Sequence, residues 1–444
     1  MTTQTWQDGP DEVRPDTAAA NDDYPQSEVP RAARRGFWPL FVVLAGFVIF
    51  TPTMLSGARI AGAFPAGELL SVLAVGSLVL GLYVAVLAVI GARTGLTTVL
   101  LARFSLGHHG AKLAGLLLGG TQVCWYAVTT VLLADLAMRA TGLDTAFTPV
   151  VVVVGSALTA VAAYYGFRGL ELLSAVSVPL VLVLFAWVTV QAVGVAGGPG
   201  ALLSWNPDGA QTLTWATAVT TVVGTFVSGG TQTPNWSRFA RRPRQAFVAA
   251  FGAFVLCNGM MLLLGALGAV AYRTGDVIAV VMQFEFAVGA LAILFLKTWT
   301  TQENTAYAFG VAGAELFGRP RKRPFVIGGV AVAIALALTG IYESLPQFLI
   351  ALGILIPPLG GTIIGDHLFV WRGTLPAVAD TTFLAVRWSC VAAYAAGVGA
   401  AFVTEQLAWG LPPVQGILVA ALAVPVADRL LTAAGVRTRH VVTA

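Results

Sequence analysis

Apolar runs of about 20 residues recur along this chain, and no other sequence feature limits its fold as strongly. A run of that length, folded as a helix, spans the hydrocarbon core of a bilayer. Apolar residues make up 57% of the 444 residues and charged residues only 10%, whereas soluble domains carry roughly 25% charged residues. The chain has too few charges to cover a water-facing surface, so the runs predict membrane-spanning helices.

Hydropathy and span length predict an all-α membrane protein with about twelve membrane-spanning helices. The predicted spans are 37–64, 68–91, 113–137, 147–167, 170–194, 214–236, 246–272, 287–310, 325–342, 345–371, 383–404 and 410–430. Together they form one transporter domain, residues 36–430. A short external helix is expected at residues 277–286, before the eighth span.

Both ends of the chain are predicted to be cytoplasmic tails. Residues 1–30 are acidic and lack an apolar core, so residues 1–35 predict a disordered tail rather than a signal peptide. Residues 431–444 form the second tail. Lys and Arg cluster before span 1 and after spans 2, 6, 8, 10 and 12, which puts every strong cluster on one side. A multi-pass protein of a prokaryotic plasma membrane is expected.

Two spans carry helix-breaking sequences at corresponding positions. Span 1 contains TPTMLSG at residues 51–57, and span 6 contains SGGTQTP at residues 228–234. Pro and paired Gly interrupt a membrane helix, and irregular backbone survives at membrane depth where it lines a cavity. Spans 1 and 6 are five apart, so the pattern predicts two inverted five-span repeats, about 37–194 and 214–371, followed by two additional helices at 383–430. Ordinary kinks are the alternative interpretation.

Span 8 concentrates polar groups inside an apolar segment. Residues 295–304 read FLKTWTTQEN. Ionisable groups are costly in hydrocarbon and usually mark the path of an ion or a substrate. The stretch therefore predicts part of the binding centre of a membrane transporter.

Five stretches resemble the nucleobase–cation symporter-1 (purine-cytosine permease) family, and most closely its bacterial cytosine-transporting branch. They are GARTGLTT at 91–98, LARFSLG at 101–107, LGGTQVCW at 118–125, WTT at 299–301 with Asn304 and Tyr307, and IPPLGG at 356–361 with Asp366. The similarity extends from about Val29 to the last span. It implies a five-plus-five inverted-repeat fold and sodium-coupled uptake of a nucleobase or a related heterocycle.

A flat heterocycle needs apolar faces for its ring and hydrogen-bonding groups around its edge. Gln122 and Trp125 are neighbours on one face of span 3. The resemblance implies that Gln122 binds the edge of the heterocycle and that Trp125 stacks on its ring. It places Phe226 on the other ring face, with Thr225 and Ser228 beside it. Packing and hydrogen bonds between helices are the alternative for these residues.

The resemblance also implies a sodium site between spans 1 and 8. The hydroxyls of Thr300 and Thr301 are hard oxygen ligands, and the break in span 1 would free the carbonyls of Gly46 and Phe50. Lys297 would add a further carbonyl. The alternative is that the two hydroxyls bond the helix carbonyl one turn earlier.

Lys297 stands where the cytosine-transporting branch carries Asn, and three roles are open to it. Its ammonium could replace sodium, making transport sodium-independent or proton-coupled; it could supply only a carbonyl; or it could contact the substrate. Gln302 is expected to contact substrate, and Glu303 to pair with a cation, relay a proton or bond another helix. Asn304, seven residues after Lys297, is expected to line the same cavity.

The sequence thus predicts a secondary active transporter that imports cytosine or a related nucleobase with sodium or a proton. Purines, uracil, hydantoins, allantoin and the pyrimidine precursor of thiamine are alternative substrates, and a channel or a nutrient receptor is the alternative of a different class. No metal-ligand cluster, catalytic triad or phosphate-binding loop indicates an enzyme. The expected partners are the substrate, a cation and the bilayer, with no cofactor, nucleic acid or obligate protein partner.

Overall fold

The structure is a computed structural model in which helices dominate. It describes residues 27–165, 168–207, 213–283, 286–317, 319 and 321–442. The helices follow the predicted spans in order, and the prediction of an all-α membrane protein is confirmed.

Seven α-helices are described in the first five spans and the segment that follows them. These are α1 (Phe37–Val48), α2 (Thr51–Ala61), α3 (Ala66–Thr94), α4 (Thr98–Thr141), α5 (Thr148–Tyr165), α6 (Arg168–Ala196) and α7 (Pro199–Leu203). Span 1 consists of α1 and α2, while α3, α4, α5 and α6 form spans 2 to 5. The short α7 follows span 5.

Eleven α-helices are described in the rest of the chain. These are α8 (Trp215–Gly224), α9 (Val227–Thr231), α10 (Pro234–Ser237), α11 (Pro243–Gly252), α12 (Gly259–Tyr272), α13 (Val277–Met282), α14 (Ala287–Leu316), α15 (Arg323–Leu338), α16 (Leu345–Gly365), α17 (Trp388–Gln406) and α18 (Pro412–Ala433). Span 6 contains α8 and α9, span 7 contains α11 and α12, and α14 to α18 form spans 8 to 12. The short helix expected before span 8 is α13.

Length and hydropathy alone identify six described helices that can cross a membrane, or seven if the bent pair α1–α2 counts as one span. Of the other predicted spans, span 6 is divided by a break, while the helices of spans 8 and 11 are long enough but are not among the six. Large apolar side chains such as Leu78, Val190 and Leu418 are exposed on the outside of the bundle. That surface suits contact with lipid rather than water.

The helices form two packed groups. Spans 1, 2, 6 and 7 pack together, and spans 3, 4, 8 and 9 form the second group, with a core that includes Tyr126, Phe309 and Val326. The members of each group occupy equivalent positions in the two five-span halves, as an inverted repeat requires. Spans 5 and 10 contact members of both groups, and α17 and α18 pack on α16.

The break in span 1 lies slightly earlier than the helix-breaking sequence at 51–57. Ile49 and Phe50 separate α1 from α2, and the two helices meet at a bend of 58°. Pro52 does not interrupt α2 because it lies in its first turn, where a missing N–H removes no helix bond.

The break in span 6 is also displaced toward the N-terminus. Thr225 and Phe226 separate α8 from α9, whereas Gly229 and Gly230 lie inside α9. The glycines serve close packing instead, since a Cβ on Gly230 would lie 2.5 Å from Val84.

Small residues bring α2 and α12 into backbone contact. A Cβ on Gly57 would lie 1.9 Å from the carbonyl oxygen of Leu262, and one on Gly265 would lie 1.8 Å from that of Met54. Any larger residue at either glycine would push the two helices apart. The second half of span 1 is thereby fixed to span 7.

The basic segments before span 1, after span 2 and after span 6 meet at one end of the molecule. Arg34 donates to the carbonyl of Ala92 (2.8 Å), and the backbone N–H of Arg241 donates to Arg35 O (2.9 Å). Of the expected tail at 1–35, the part up to residue 26 lies outside the described residues. The remainder packs against the domain, and Val29 is only 2% exposed.

The chain after α18 folds back onto the loop between spans 10 and 11. Strand β2 (Val441–Val442) pairs antiparallel with β1 (Thr381–Thr382). The same loop crosses a kink in α4 at Gly107, whose φ of +84° favours glycine. We call the segment 436–442 with its contacts the C-terminal latch.

Candidate functional site

A cavity lies where the broken spans 1 and 6 face spans 3 and 8. It contains about 430 Å³ of empty space, including the part open to solvent. Six of the seven predicted substrate residues line it: Gln122, Trp125, Thr225, Phe226, Ser228 and Asn304. Three members of the predicted sodium set, Gly46, Phe50 and Thr301, line it as well.

Aromatic rings form one wall of the cavity. The ring of Phe50 lies edge-on to Trp125 (centroids 5.1 Å apart) and to Phe226 (5.7 Å). Phe47 meets Phe226 at 5.0 Å, and Phe348 meets Trp125 at 5.3 Å. The resemblance implies a role only for the Phe50 carbonyl, whereas in the structure the Phe50 ring is part of this wall. The wall offers aromatic surface on which a flat ring can pack.

Some polar side chains of the lining are hydrogen-bonded to other described protein groups, and the Gln122 amide is not. Asn304 donates from Nδ2 to the carbonyl of Thr300 (3.0 Å), and Thr225 donates from its hydroxyl to Val222 O (2.7 Å). The Gln122 side chain is 7% exposed, and within the described part of the chain its amide makes no hydrogen bond. Because Gln122 lines the cavity and its amide has no partner among the described residues, the amide is available to a ligand.

Gln302 is placed differently from the other predicted substrate residues. It is fully buried and is absent from the cavity lining. Its amide is hydrogen-bonded with the hydroxyls of Thr129 (2.8 Å) and Thr130 (2.7 Å) on α4. When the amide is oriented with its nitrogen toward Thr129 and its oxygen toward Thr130, the hydrogen bonds of all three side chains are satisfied. Gln302 therefore joins spans 3 and 8.

Glu303 also lies outside the cavity lining and is 2% exposed. One of its carboxylate oxygens accepts from Trp299 Nε1 at 2.7 Å, while Oε2 has no partner among the described residues. This bond lies within a single helix, one turn apart. The expected pairing with a cation or proton relay stays a prediction.

Two of the predicted sodium ligands bond the helix carbonyl one turn earlier, as the alternative interpretation expects. The hydroxyls of Thr300 and Thr301 both donate to the carbonyl of Lys297, at 2.8 and 3.0 Å. The Lys297 ammonium itself donates to Gly46 O at 3.0 Å. Spans 1 and 8 are thus joined by a side-chain cation at the place where the resemblance implies a sodium ion.

Asn258, which was not among the predicted site residues, contacts the lining residue Thr225 from outside the cavity. It ends the π-helical segment Ala253–Asn258 in span 7 and is fully buried. Its side chain lies 3.5 Å from the Thr53 hydroxyl and 3.4 Å from the Thr225 hydroxyl. Asn258 thereby connects the two broken spans. A lone Asn in an apolar run was the available signal, and π-helical segments often lie at functional sites.

The chain matches a protein family and curated relatives over most of its length. A family described as permease for cytosine/purines, uracil, thiamine and allantoin matches residues 28–423. The cytosine permease of Escherichia coli strain K12 is 35% identical over 420 residues, which cover 93% of this chain and 97% of the relative.

Solved structures show the same fold. Mhp1 in its inward-facing conformation superposes with a TM-score of 0.81 at 18% identity, covering 92% of this chain and 94% of Mhp1. Closed Mhp1 with bromovinylhydantoin bound, a nucleobase-cation-symport-1 family transporter, gives 0.76 at 19% identity over 92% and 96%. A Na⁺-coupled sialic acid symporter gives 0.63 at 12% identity over 92% of both chains.

Proposed function

The chain belongs to the family of permeases for cytosine/purines, uracil, thiamine and allantoin, and we propose that it imports cytosine or a related nucleobase by cation-coupled secondary transport. The membership confirms the resemblance to the nucleobase–cation symporter-1 family. The observation that carries the proposal is the unpartnered Gln122 amide, which lines a cavity beside the Trp125 and Phe226 rings. Permeases transport rather than transform their substrates, which agrees with the expected non-enzymatic role.

The chemistry of the lining suits a flat heterocycle. The rings of Trp125 and Phe226 supply stacking surface, for which base–aromatic contacts contribute roughly 1–3 kcal/mol per base. An amide has both a donor and an acceptor, which match the alternating groups on a nucleobase edge. We assign Gln122 to the edge, with Ser228 and Asn304 as further polar contacts. Gln302 supports the site by holding span 8 against span 3.

The position of the cavity suits alternating access. It lies between the two helix groups, and it is built from both broken helices and from spans 3 and 8. A substrate that contacts both groups stabilises the conformer in which they approach each other. Coupling requires that the cation favours that same conformer.

The proposed orientation places both chain ends in the cytoplasm of the plasma membrane. The basic segments around Arg34, Arg93 and Arg241 gather at one end of the molecule, which the positive-inside rule assigns to the cytoplasm. Import would then run from the opposite end through the cavity. Labelling of single cysteines introduced at either end of intact cells tests this orientation.

Uptake of radiolabelled cytosine into proteoliposomes tests the function. We expect accumulation above the external concentration when a cation gradient is imposed, with unlabelled adenine, uracil, allantoin and hydroxymethylpyrimidine as competitors. Trp125→Ala should weaken cytosine affinity by roughly tenfold, the lower part of the stacking range. Trp38→Ala is the matched control, because Trp38 is 70% exposed.

Two outcomes would contradict the proposal. Folded protein that accumulates one of the competitors but not cytosine would assign the site to another heterocycle. Folded protein that accumulates none of them, or that only equilibrates cytosine, would exclude a nucleobase symporter and favour the channel or receptor alternative.

A further inference from the structure

Lys297 is a buried cation among the residues that the resemblance implies as sodium ligands. The residue is 3% exposed, and its ammonium lies 3.0 Å from the carbonyl oxygen of Gly46. Lys297 lies on span 8 and Gly46 on the first part of span 1. The contact therefore joins the two spans between which sodium is expected.

The end of α1 is a natural place for a positive charge. The last carbonyls of a helix lack partners within it, and the helix dipole makes that end negative. Ala45 O accepts from the N–H of Ile49 at 3.0 Å, but the extended backbone at Phe50 ends the series of helical hydrogen bonds there. Gly46 O is bonded by the Lys297 ammonium instead of by the next turn of helix.

The remaining sodium ligands are already engaged. The Thr300 and Thr301 hydroxyls are directed at the Lys297 carbonyl, and Phe50 O accepts from the N–H of Thr53 at 3.1 Å. Binding a sodium ion at these oxygens would require them to leave their present partners. It would also place two unit charges about 4 Å apart, which weakens binding by roughly a thousandfold at an effective dielectric constant of 20.

No carboxylate neutralises this ammonium within the described ranges of the chain. Every ion pair of the described residues involves arginine, and the Lys297 ammonium makes a single hydrogen bond. Burying a charge that is held by one neutral oxygen costs free energy. Charges that are retained inside membrane spans therefore usually have a function. Holding span 1 against span 8 is the function that a bound sodium ion would otherwise perform.

We propose that the Lys297 ammonium occupies the place of the coupling sodium ion, so that this permease binds its substrate and transports it without sodium, and a proton is the cation that couples transport. Only the transport step of this inference depends on the transport function proposed above. The exclusion of sodium from the site is a property of the folded protein and can be measured without any substrate.

Thermal unfolding of the purified protein in detergent provides that measurement. The melting temperature is followed as NaCl replaces choline chloride at constant ionic strength, for wild type, Lys297→Asn and Lys112→Asn. Lys112 is exposed near the start of span 3, so the same substitution there is the matched control. A ligand that binds only the folded state raises the melting temperature, and the effect grows with the logarithm of the ratio of ligand concentration to Kd.

We expect sodium to raise the melting temperature of Lys297→Asn and to leave wild type and Lys112→Asn unchanged. Adding Thr300→Val to Lys297→Asn should remove the sodium effect. If Lys297→Asn does not fold, Lys297→Ala is compared in the same way. Stabilisation of wild type by sodium would overturn the proposal, and so would a folded Lys297→Asn that ignores sodium.

Uptake then tests the transport step. Cytosine uptake by wild type should be equal in sodium and choline, and uptake by Lys297→Asn should rise several-fold in sodium. Wild-type uptake that needs sodium would overturn the proposal. Absence of cytosine uptake with the expected melting behaviour would contradict the proposed substrate while leaving the exclusion of sodium intact.

Discussion

Two buried cationic side chains, Arg387 and Lys297, have very different surroundings. Arg387 is fully buried and donates to the carbonyls of Phe104 and Thr438, both at 2.7 Å, and to Asp366 Oδ1 at 2.8 Å. Lys297 is as deeply buried, yet it bonds one carbonyl. A cation surrounded by partners fixes a structure, whereas a cation with too few partners indicates a site where something binds or moves.

The same contrast separates the C-terminal latch from the central cavity. Arg387 ties the latch to spans 3 and 10, and its backbone N–H donates to Leu106 O beside the Gly107 kink. The side chains of Arg387, Thr438 and His440 all have protein partners there. The cavity, in contrast, leaves the Gln122 amide without a partner. We expect changes in the latch to affect stability and changes in the cavity to affect transport.

The largest effect is expected for Arg387→Met. This change leaves the buried Asp366 carboxylate without its ion pair and removes two hydrogen bonds to carbonyls. Removing one partner of a buried pair costs about 3–5 kcal/mol. We expect a large fall in melting temperature or a failure to recover folded protein in size-exclusion chromatography.

Arg439→Met is the matched control for that change. Arg439 is 71% exposed and lies 4.0 Å from Asp428, a solvent-screened contact worth little. The distinction between the two regions fails if both variants unfold at the same temperature as wild type.

A smaller loss of stability is expected for Gln302→Ala. The change removes bonds to Thr129 and Thr130 and leaves both hydroxyls buried, at a cost of about 2–3 kcal/mol. The fraction of folded protein and the melting temperature should fall. The Michaelis constant for cytosine in the protein that remains folded should be nearly unchanged, and a change of more than tenfold would place Gln302 on the substrate instead.

Gln122→Ala is expected to do the opposite. It removes an amide that makes no hydrogen bond within the described residues, so the melting temperature should stay within a degree or two of wild type. Cytosine affinity should fall by about 5- to 30-fold, as expected for about 1–2 kcal/mol of edge hydrogen bonding. Equal uptake by the variant and wild type would remove Gln122 from the site.

The smallest effect concerns pH and the latch. His440 accepts from the backbone N–H of Leu384 at Nδ1 (3.0 Å), and its Nε2 is 2.8 Å from Phe104 O. These contacts hold a neutral ring, and burial lowers the pKa of His440 from 6.5 to about 4. Because the unfolded chain takes up the proton first, this stabilisation is complete above pH 6.5 and is lost as pH falls toward 4.

Melting temperatures between pH 7 and pH 5 check that expectation. Wild type should become slightly less stable over this interval, and His440→Gln should have a shallower dependence. Identical slopes for the two proteins would contradict the expectation that protonation of His440 destabilises the folded protein in this pH range.

Hydropathy predicted the helices well because each span is a local property of about 20 residues. It missed the first part of α4, where Arg103, His108 and His109 interrupt the apolar pattern. The latch was unpredictable for a different reason. Two-residue strands have no periodicity, and pairing Thr381 with Val442 depends on contacts between distant parts of the chain.

The cavity residues could be named from the resemblance, but their hydrogen bonds could not. Gln122 and Gln302 are both amides in apolar helices, and only the structure distinguishes the free one from the bonded one. The breaks were placed a few residues late because Pro52 and Gly229 are accommodated inside short helices. The sequence also left three roles for Lys297, and the contact with Gly46 favours one of them.

The most direct test of the contrast between the two cations is the flux of ²²Na⁺ into proteoliposomes during cytosine uptake. If the Lys297 ammonium stands in for sodium, cytosine should enter wild-type vesicles without any added ²²Na⁺ flux, and Lys297→Asn should carry both together. Cytosine-dependent entry of ²²Na⁺ through the wild-type protein would contradict the assignment of Lys297.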